Sequence, residues 1–209
     1  RQFHEEGLLP PEPQGGNYRL IRIGREIGTQ IVPLSADTVL NAHQLEMHYA
    51  PGFPAWHQEY LSLLRRHRHG LSVLEGPPGT GKTSYLRHLM GELAASHRFH
   101  FVPNRSLSVR AHPEFVGFWA DQRRRHEQEN FVVVLEDSDA ALMTRGQDNR
   151  DQVSSILHWS DGMLADFLRL QIICTINCRA SDVDAALLRT GRLLTHHMFD
   201  RLRQTPATR

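Results

Sequence analysis

Lys82 is the only lysine among 209 residues; the other 23 of the 24 basic residues are arginine. It sits in Gly76-Pro77-Pro78-Gly79-Thr80-Gly81-Lys82-Thr83, which fits the pattern G-x-x-x-x-G-K-[ST] in full. Arginine carries the same charge on a wide planar fork. A lysine kept in so arginine-biased a chain therefore points to a site that admits only a compact ammonium. The chemistry of such a loop is phosphate binding. Its glycines let backbone N–H groups converge on phosphate oxygens, and the helix that follows adds the positive end of its dipole. Lys82 would reach the β- and γ-phosphates and the Thr83 hydroxyl would ligate Mg²⁺, with the helix predicted from Ser84 onward.

Three further groups fit the same chemistry. Glu136 and Asp137 end the apolar run Phe131–Leu135 and allow a division of labour, one carboxylate in the Mg²⁺ shell and the other polarising an attacking water. Asn177 ends Gln171–Ile176, where an amide can donate to a γ-phosphate or position a water. Arg189 and Arg192 lie three apart after a short helical stretch, and exposed arginines of this kind can complete a phosphate site on a neighbouring subunit. Read singly, the acidic pair is a solvated loop, the asparagine a turn residue and the arginines two among 23.

The elements that must position these groups read as α/β. Residues 71–75 are a short apolar run bounded by Gly70 and Gly76 that reads as a buried strand, 131–135 an apolar run without alternation, as in a parallel strand covered on both faces, and 171–176 a third strand. Strands are also predicted at 99–102 and 196–199. Leu86, Leu89, Met90 and Leu93 form one helical face after the loop. Residues 53–70 predict a helix with Trp56, Tyr60, Leu63 and Leu64 inward, stopping at Gly70. Phe115, Phe118, Trp119 and Gln122 also follow at helical spacing, which favours a buried helix face over an aromatic pore loop at Phe115-Val116-Gly117.

In this order GPPGTGKT, VVVLEDSDAAL, ICTIN and DAALLRTGRL resemble the AAA family of ATPases. The LEDSDAAL form is most similar to the branch containing the mitochondrial translocase of the Rieske protein and related bacterial proteins. The match covers about residues 70–200. It implies a three-layer αβα core with a parallel sheet of order 5-1-4-3-2, an ATP and Mg²⁺ requirement, and a homo-oligomeric ring, usually a hexamer, acting on a protein client. By the same resemblance Gly76 to Ser84 bind nucleotide, Thr83 and Glu136 take the metal positions, and Asp137 takes the catalytic carboxylate. Asn177 matches sensor 1, and Arg189 and Arg192 match the trans-acting arginine fingers. The acidic pair stands as Glu-Asp where most members have Asp-Glu, so Asp137 is one methylene shorter and slow hydrolysis is expected. The expected organisation is an N-terminal arm and short β extension (1–52), an ATPase core (53–200), and at 201–209 only the start of a helical lid.

Composition narrows the alternatives. The formal net charge is +1, so a surface dominated by nucleic-acid binding is not indicated. No apolar run reaches the ~20 residues of a membrane-spanning helix, and two cysteines make no disulfide scaffold; the cytoplasm is the default compartment. Cys174 and Cys178 read as buried small hydrophobes, and the 14 histidines show no zinc spacing. Arg65, Arg66 and Arg68 read as a solvated helix end, and Arg123 to Arg125 as a helix end needing no partner. Residues 144–151 read as a mobile loop facing a neighbour or a pore. Three other functions remain open: a nucleotide-gated binding module with little turnover, a small-molecule kinase on the same phosphate loop, and a DNA-linked ATPase.

Overall fold

Uninterrupted runs of branched apolar residues demand cover on both faces, and the chain supplies it from two sets of helices. A computed structural model of the chain describes residues 16–24, 27–103, 113–143, 150–160 and 162–201. In order the elements are β1 (Asn17–Ile23), β2 (Ile27–Pro33), α1 (Ala42–Tyr49), α2 (Phe53–Arg66), β3 (Gly70–Glu75), α3 (Lys82–Glu92) and β4 (His97–Phe101). They continue with α4 (Pro113–Arg125), β5 (Asn130–Leu135), α5 (Asp139–Leu142), α6 (Arg150–Ser160), α7 (Met163–Leu168), β6 (Leu170–Ile176) and β7 (Leu193–Met198). The sheet runs β2-β1-β4-β5-β6-β3-β7. Its five core strands are parallel and stand in the expected order. Among the described residues the sheet has seven strands rather than five because the hairpin β1–β2 joins it: β1 pairs parallel to β4 through Arg19 with His100 and Leu20 with Phe101.

Alternation along each strand divides the core in two. Phe131, Val133 and Leu135 of β5 face a cluster with Phe115 and Trp119 of α4, Val153, Ile156 and Trp159 of α6, and Leu168 of α7. Val132 and Val134 face the other way, toward Leu45 and Tyr49 of α1, Phe53, Tyr60 and Leu61 of α2, and Leu86, Leu89 and Met90 of α3. This is the three-layer αβα arrangement. Phe115 and Trp119 are fully buried, so their helical spacing does report a packed face. Cys174 is buried and Cys178 half-buried. Residues 144–149 lie outside the described residues.

Several expectations need correction. Helix α2 ends at Arg66, and Gly70 opens β3 instead of stopping the helix. A side chain at Gly70 would meet Leu194 at 2.6 Å, and the residue's φ of +134° suits glycine, so it is demanded by the strand entry. The inward face of α2 is Phe53, His57, Tyr60, Leu61 and Leu64; Trp56 and Leu63 stand at its half-buried margins. Strand β4 starts two residues before the expected 99, at a histidine that reads as polar but is buried. His97 Nδ1 meets Ser96 Oγ at 2.8 Å and its Nε2 meets Leu64 O at 3.2 Å. Strand β7 likewise starts at Leu193, three residues before the expected position.

Arg123 is not a free helix end. Its guanidinium donates to Glu129 O at 2.7 Å, Leu168 O at 3.2 Å and Arg169 O at 2.8 Å, and lies 4.1 Å over the Phe131 ring. Burial, then the positive charges of Arg68 and Arg169, push its pKa down to about 10. It ties α4 to the entries of β5 and β6. Arg124 and Arg125, by contrast, make exposed ion pairs with Asp121. Arg123→Ala is expected to cost about 1–3 kcal/mol in denaturant unfolding, against about 0.5 kcal/mol or less for Arg124→Ala or Arg125→Ala. Equal losses at the three positions would contradict this.

The histidines make the fold acid-sensitive. Burial pushes His57 and His197 down to about 4 and His100 down to about 3, and it lowers His88 and His97 as well. In the unfolded chain each titrates near ~6.5, so below that pH the unfolded state binds more protons than the folded one. Their contribution to stability is complete above about pH 6.5 and is lost as the pH falls below it. The denaturant midpoint is therefore expected to be lower at pH 5.5 than at pH 7.5. A midpoint that stays level or rises on acidification would contradict it.

Candidate active site

In a parallel sheet the segments that follow the strands gather at one rim. Here they are the Gly76–Gly81 loop after β3, Glu136 to Asp139 after β5, and Asn177 after β6. The loop turns where glycine is needed. Gly79 and Gly81 have φ of +81° and +89°, and a side chain at Gly76 would strike Phe199 O at 2.4 Å. Tyr49 of α1 braces the turn: its hydroxyl donates to Gly81 O at 3.1 Å, and its ring leaves no room for a Gly81 side chain.

Lys82 opens α3 and is buried, its ammonium donating to Gly76 O, to Pro77 O at 3.1 Å and to Asn177 Oδ1 at 3.0 Å. Burial holds its pKa below the ordinary lysine range, against the opposing fields of Asp137, Asp139 and Glu136. The next residue, Thr83, donates its hydroxyl to Glu136 Oε1. A threonine oxygen beside a carboxylate is a hard, all-oxygen donor set of the kind Mg²⁺ takes, usually with water and phosphate oxygens completing the shell. Asp137 adopts a positive φ of 48°, held by its N–H donating to Thr175 Oγ1 at 2.9 Å. Its carboxylate accepts from Asn177 Nδ2 at 3.1 Å. The Asn177 amide thus has its oxygen on the lysine and its nitrogen on the carboxylates, which fixes its orientation.

Asp139 organises this rim and was not singled out from the sequence. Its Oδ1 accepts from Asn177 N at 2.7 Å and from Cys178 N at 2.6 Å, and its Oδ2 accepts from Asn177 Nδ2 at 3.3 Å. Burial alone would raise its pKa, but the hydrogen bonds from Cys178 and Asn177 outweigh it and hold the carboxyl below the usual range. The signal available was a third acid two positions past Asp137 in LEDSD. Thr175, the one hydroxyl in Leu170–Ile176, was a second. Nothing in the sequence marked Tyr49.

A cleft of about 690 Å³ adjoins the loop. The loop residues Pro78 to Gly81 and Ser84 line it together with Asp37, Thr38, Leu40, His48 and Tyr49, and with Arg87, Asp200 and Arg201. The structure therefore brings together the loop, Lys82, Thr83, Ser84, Glu136, Asp137 and Asn177. It does not bring Arg189 and Arg192 to them. Both arginines precede β7, and Arg192 O accepts from Leu71 N at 2.8 Å at the entry of β3, one strand length from the phosphate loop. Arg192 turns its guanidinium back on Ala186 O, whereas Arg189 is exposed.

The model of the ATPase family associated with various cellular activities (AAA) matches residues 72–201. Among curated proteins, the chain is 28% identical over 138 residues to a cell division cycle protein 48 homolog of Archaeoglobus fulgidus, covering 59% of this chain and 17% of that protein. It is 31% identical over 136 residues to the mitochondrial chaperone BCS1 of Danio rerio, covering 58% of this chain and 29% of that protein. The chain thus spans less than a third of either relative's length. No helix among the described residues is long and apolar enough to cross a membrane. The family match runs from the second residue of the expected first core strand to the end of the last, and through every motif between them: the chain belongs to the AAA family of ATPases.

Proposed function

We propose that the chain hydrolyses ATP with Mg²⁺ at a site completed by Arg189 of a neighbouring copy, in a ring that does mechanical work on a protein client. The observation that carries this is the cluster around the single lysine: Lys82, Thr83 paired with Glu136, and Asp137 bridged to Lys82 by Asn177. The loop N–H groups and Lys82 would hold the β- and γ-phosphates, with Lys82 exchanging its carbonyl partners for phosphate oxygens. Thr83 and Glu136 would hold Mg²⁺, which supplies charge neutralisation on the phosphates. Asp137 would orient and accept a proton from the attacking water, with Asn177 fixing its carboxylate.

The placement of Arg189 supports a shared site. At the opposite rim it cannot serve its own loop, and it stands exposed where a neighbour's loop can meet it. The second reading, a nucleotide-gated module with little turnover, draws on Asp137. This side chain is one methylene shorter than glutamate and is already hydrogen-bonded to Asn177.

Lys82→Ala is expected to weaken ATP binding by about 10²-fold or more, as loss of a charge-assisted phosphate contact does. Wild-type binding by that variant would remove the site assignment. Arg189→Ala is expected to leave nucleotide affinity within about twofold and to lower kcat by on the order of 10³, the low end for such residues. Wild-type specific activity should rise with protein concentration, and ATP should raise the mass in solution. A monomer whose turnover ignores Arg189→Ala would overturn the shared site. If the monomer still binds ATP but barely turns it over, the gated-module reading takes its place.

A further inference from the structure

Leu40 lines the same cleft as the phosphate loop, and a side chain holds its backbone: Leu40 N–H donates to His88 Nδ1 at 3.0 Å. That one bond fixes the protons of a buried pair. To accept, His88 Nδ1 must be bare, so the neutral ring carries its proton on Nε2. His88 Nε2 lies 3.3 Å from His57 Nε2, which must then accept. His57 is therefore protonated on Nδ1, and donates to Tyr85 Oη at 2.9 Å. His57 and His88 are 2% and 0% exposed, so water cannot replace these partners. The relay joins α2 (His57), α3 (His88 and Tyr85) and the 36–40 segment, which begins with a short 3₁₀ turn at Ala36–Thr38.

We propose that His88, oriented by His57, is a positioning residue for the bound nucleotide: its bare Nδ1 holds residues 37–40 as the wall of the cleft, and protonation there releases that wall. This rests on the nucleotide reading of the cleft. With phosphates on Gly79 to Lys82, the nucleoside end must lie in the remaining space, which Asp37, Thr38 and Leu40 bound together with Arg87, Asp200 and Arg201. A proton on Nδ1 would set two N–H donors against each other and free the segment.

The charged neighbours act in both directions. Burial lowers both histidines' pKa, and Arg65 from α2 adds to this at His57, while Glu92 from α3 opposes it at His88. Tyr85 stays neutral because burial raises its pKa, and the segment itself contributes Asp37. Because the ordered state favours the neutral rings, nucleotide affinity is complete above about pH 6.5 and falls below it.

One nitrogen of each histidine and an oxygen of the Glu92 carboxylate lie within 4.8 Å of one another, close enough to suit a metal ion. A metal on His88 Nδ1 would displace the Leu40 N–H, and a metal on Nε2 would require the proton on Nδ1, where that N–H already points. The relay and a bound metal exclude each other.

His88→Asn and His88→Leu separate the possibilities. The asparagine Oδ1 can stand in for Nδ1 as an acceptor but does not titrate. The readouts are the hydrogen-exchange protection factor of the Leu40 amide and the Kd of a fluorescent ATP analogue, each from pH 5.5 to 7.5. In wild type both are expected to weaken on going from pH 7.5 to 5.5, by up to about tenfold, the most that one proton taken up near ~6.5 in the released state supplies over that range. His88→Leu should show the weakened values at pH 7.5. His88→Asn should restore the bond relative to His88→Leu and remove the pH dependence attributable to His88. Retention of the wild-type pH dependence by His88→Asn, or stoichiometric Zn²⁺ binding lost in both variants, would overturn the proposal. Loss of Leu40 protection in His88→Leu with unchanged affinity would overturn the positioning role while leaving the site intact. Absence of nucleotide binding in wild type would overturn the site itself.

Discussion

The two oxygens of Asp139 accept from Asn177 N, Cys178 N and Asn177 Nδ2, and so pin the tip of β6 to the segment that leaves β5. A carboxylate satisfied by N–H groups is a strong and directional clamp, because each bond is assisted by its charge. Everything at this rim depends on the clamp. With Asn177 in place, its amide can face Lys82 on one side and Asp137 on the other. With Thr175 beside it, Asp137 is held at an otherwise unfavourable positive φ. The groups proposed to touch phosphate and water are thus placed by one that touches neither.

The parallel sheet makes a second constraint. Segments after the strands carry the phosphate loop, Glu136, Asp137, Asp139 and Asn177. Arg189 and Arg192 precede β7, at the rim where the strands begin. Topology has therefore placed the candidate site at one rim and Arg189 at the other. Such a chain cannot bring its own arginine to its own phosphate loop, but two copies placed head to tail can. A head-to-tail contact whose rotation closes generates a ring.

How much of this was legible in the sequence follows from what each feature needs. The phosphate loop is local and its glycines are required by its turns, so Gly76 to Thr83 could be read directly. The strands of the core are apolar on both faces, so β3, β5 and β6 were found within a residue. The order of the five core strands came from family resemblance, and nothing in the periodicity could have given it. Features that depend on distant partners were hidden. Arg123 reads as one more arginine until the carbonyls of Leu168 and Arg169 arrive beneath it. His88 is one of 14 histidines with nothing to mark it until Leu40 and His57 close over it. That the N-terminal β extension joins the sheet edge was hidden as well, because pairing of β1 with β4 leaves no trace in either strand's pattern.

The proposed composite site is tested most directly by mixing two inactive variants. A Lys82→Ala subunit keeps its Arg189, and an Arg189→Ala subunit keeps its phosphate loop. In a ring formed from equal amounts of both, about one site in four joins an intact loop to an intact arginine, as random placement of neighbours requires. We predict that ATPase activity, nearly absent from either variant alone, returns to about a quarter of the wild-type rate on mixing. A mixture as inactive as its components would show that Arg189 does not act across a subunit boundary at the Lys82 site.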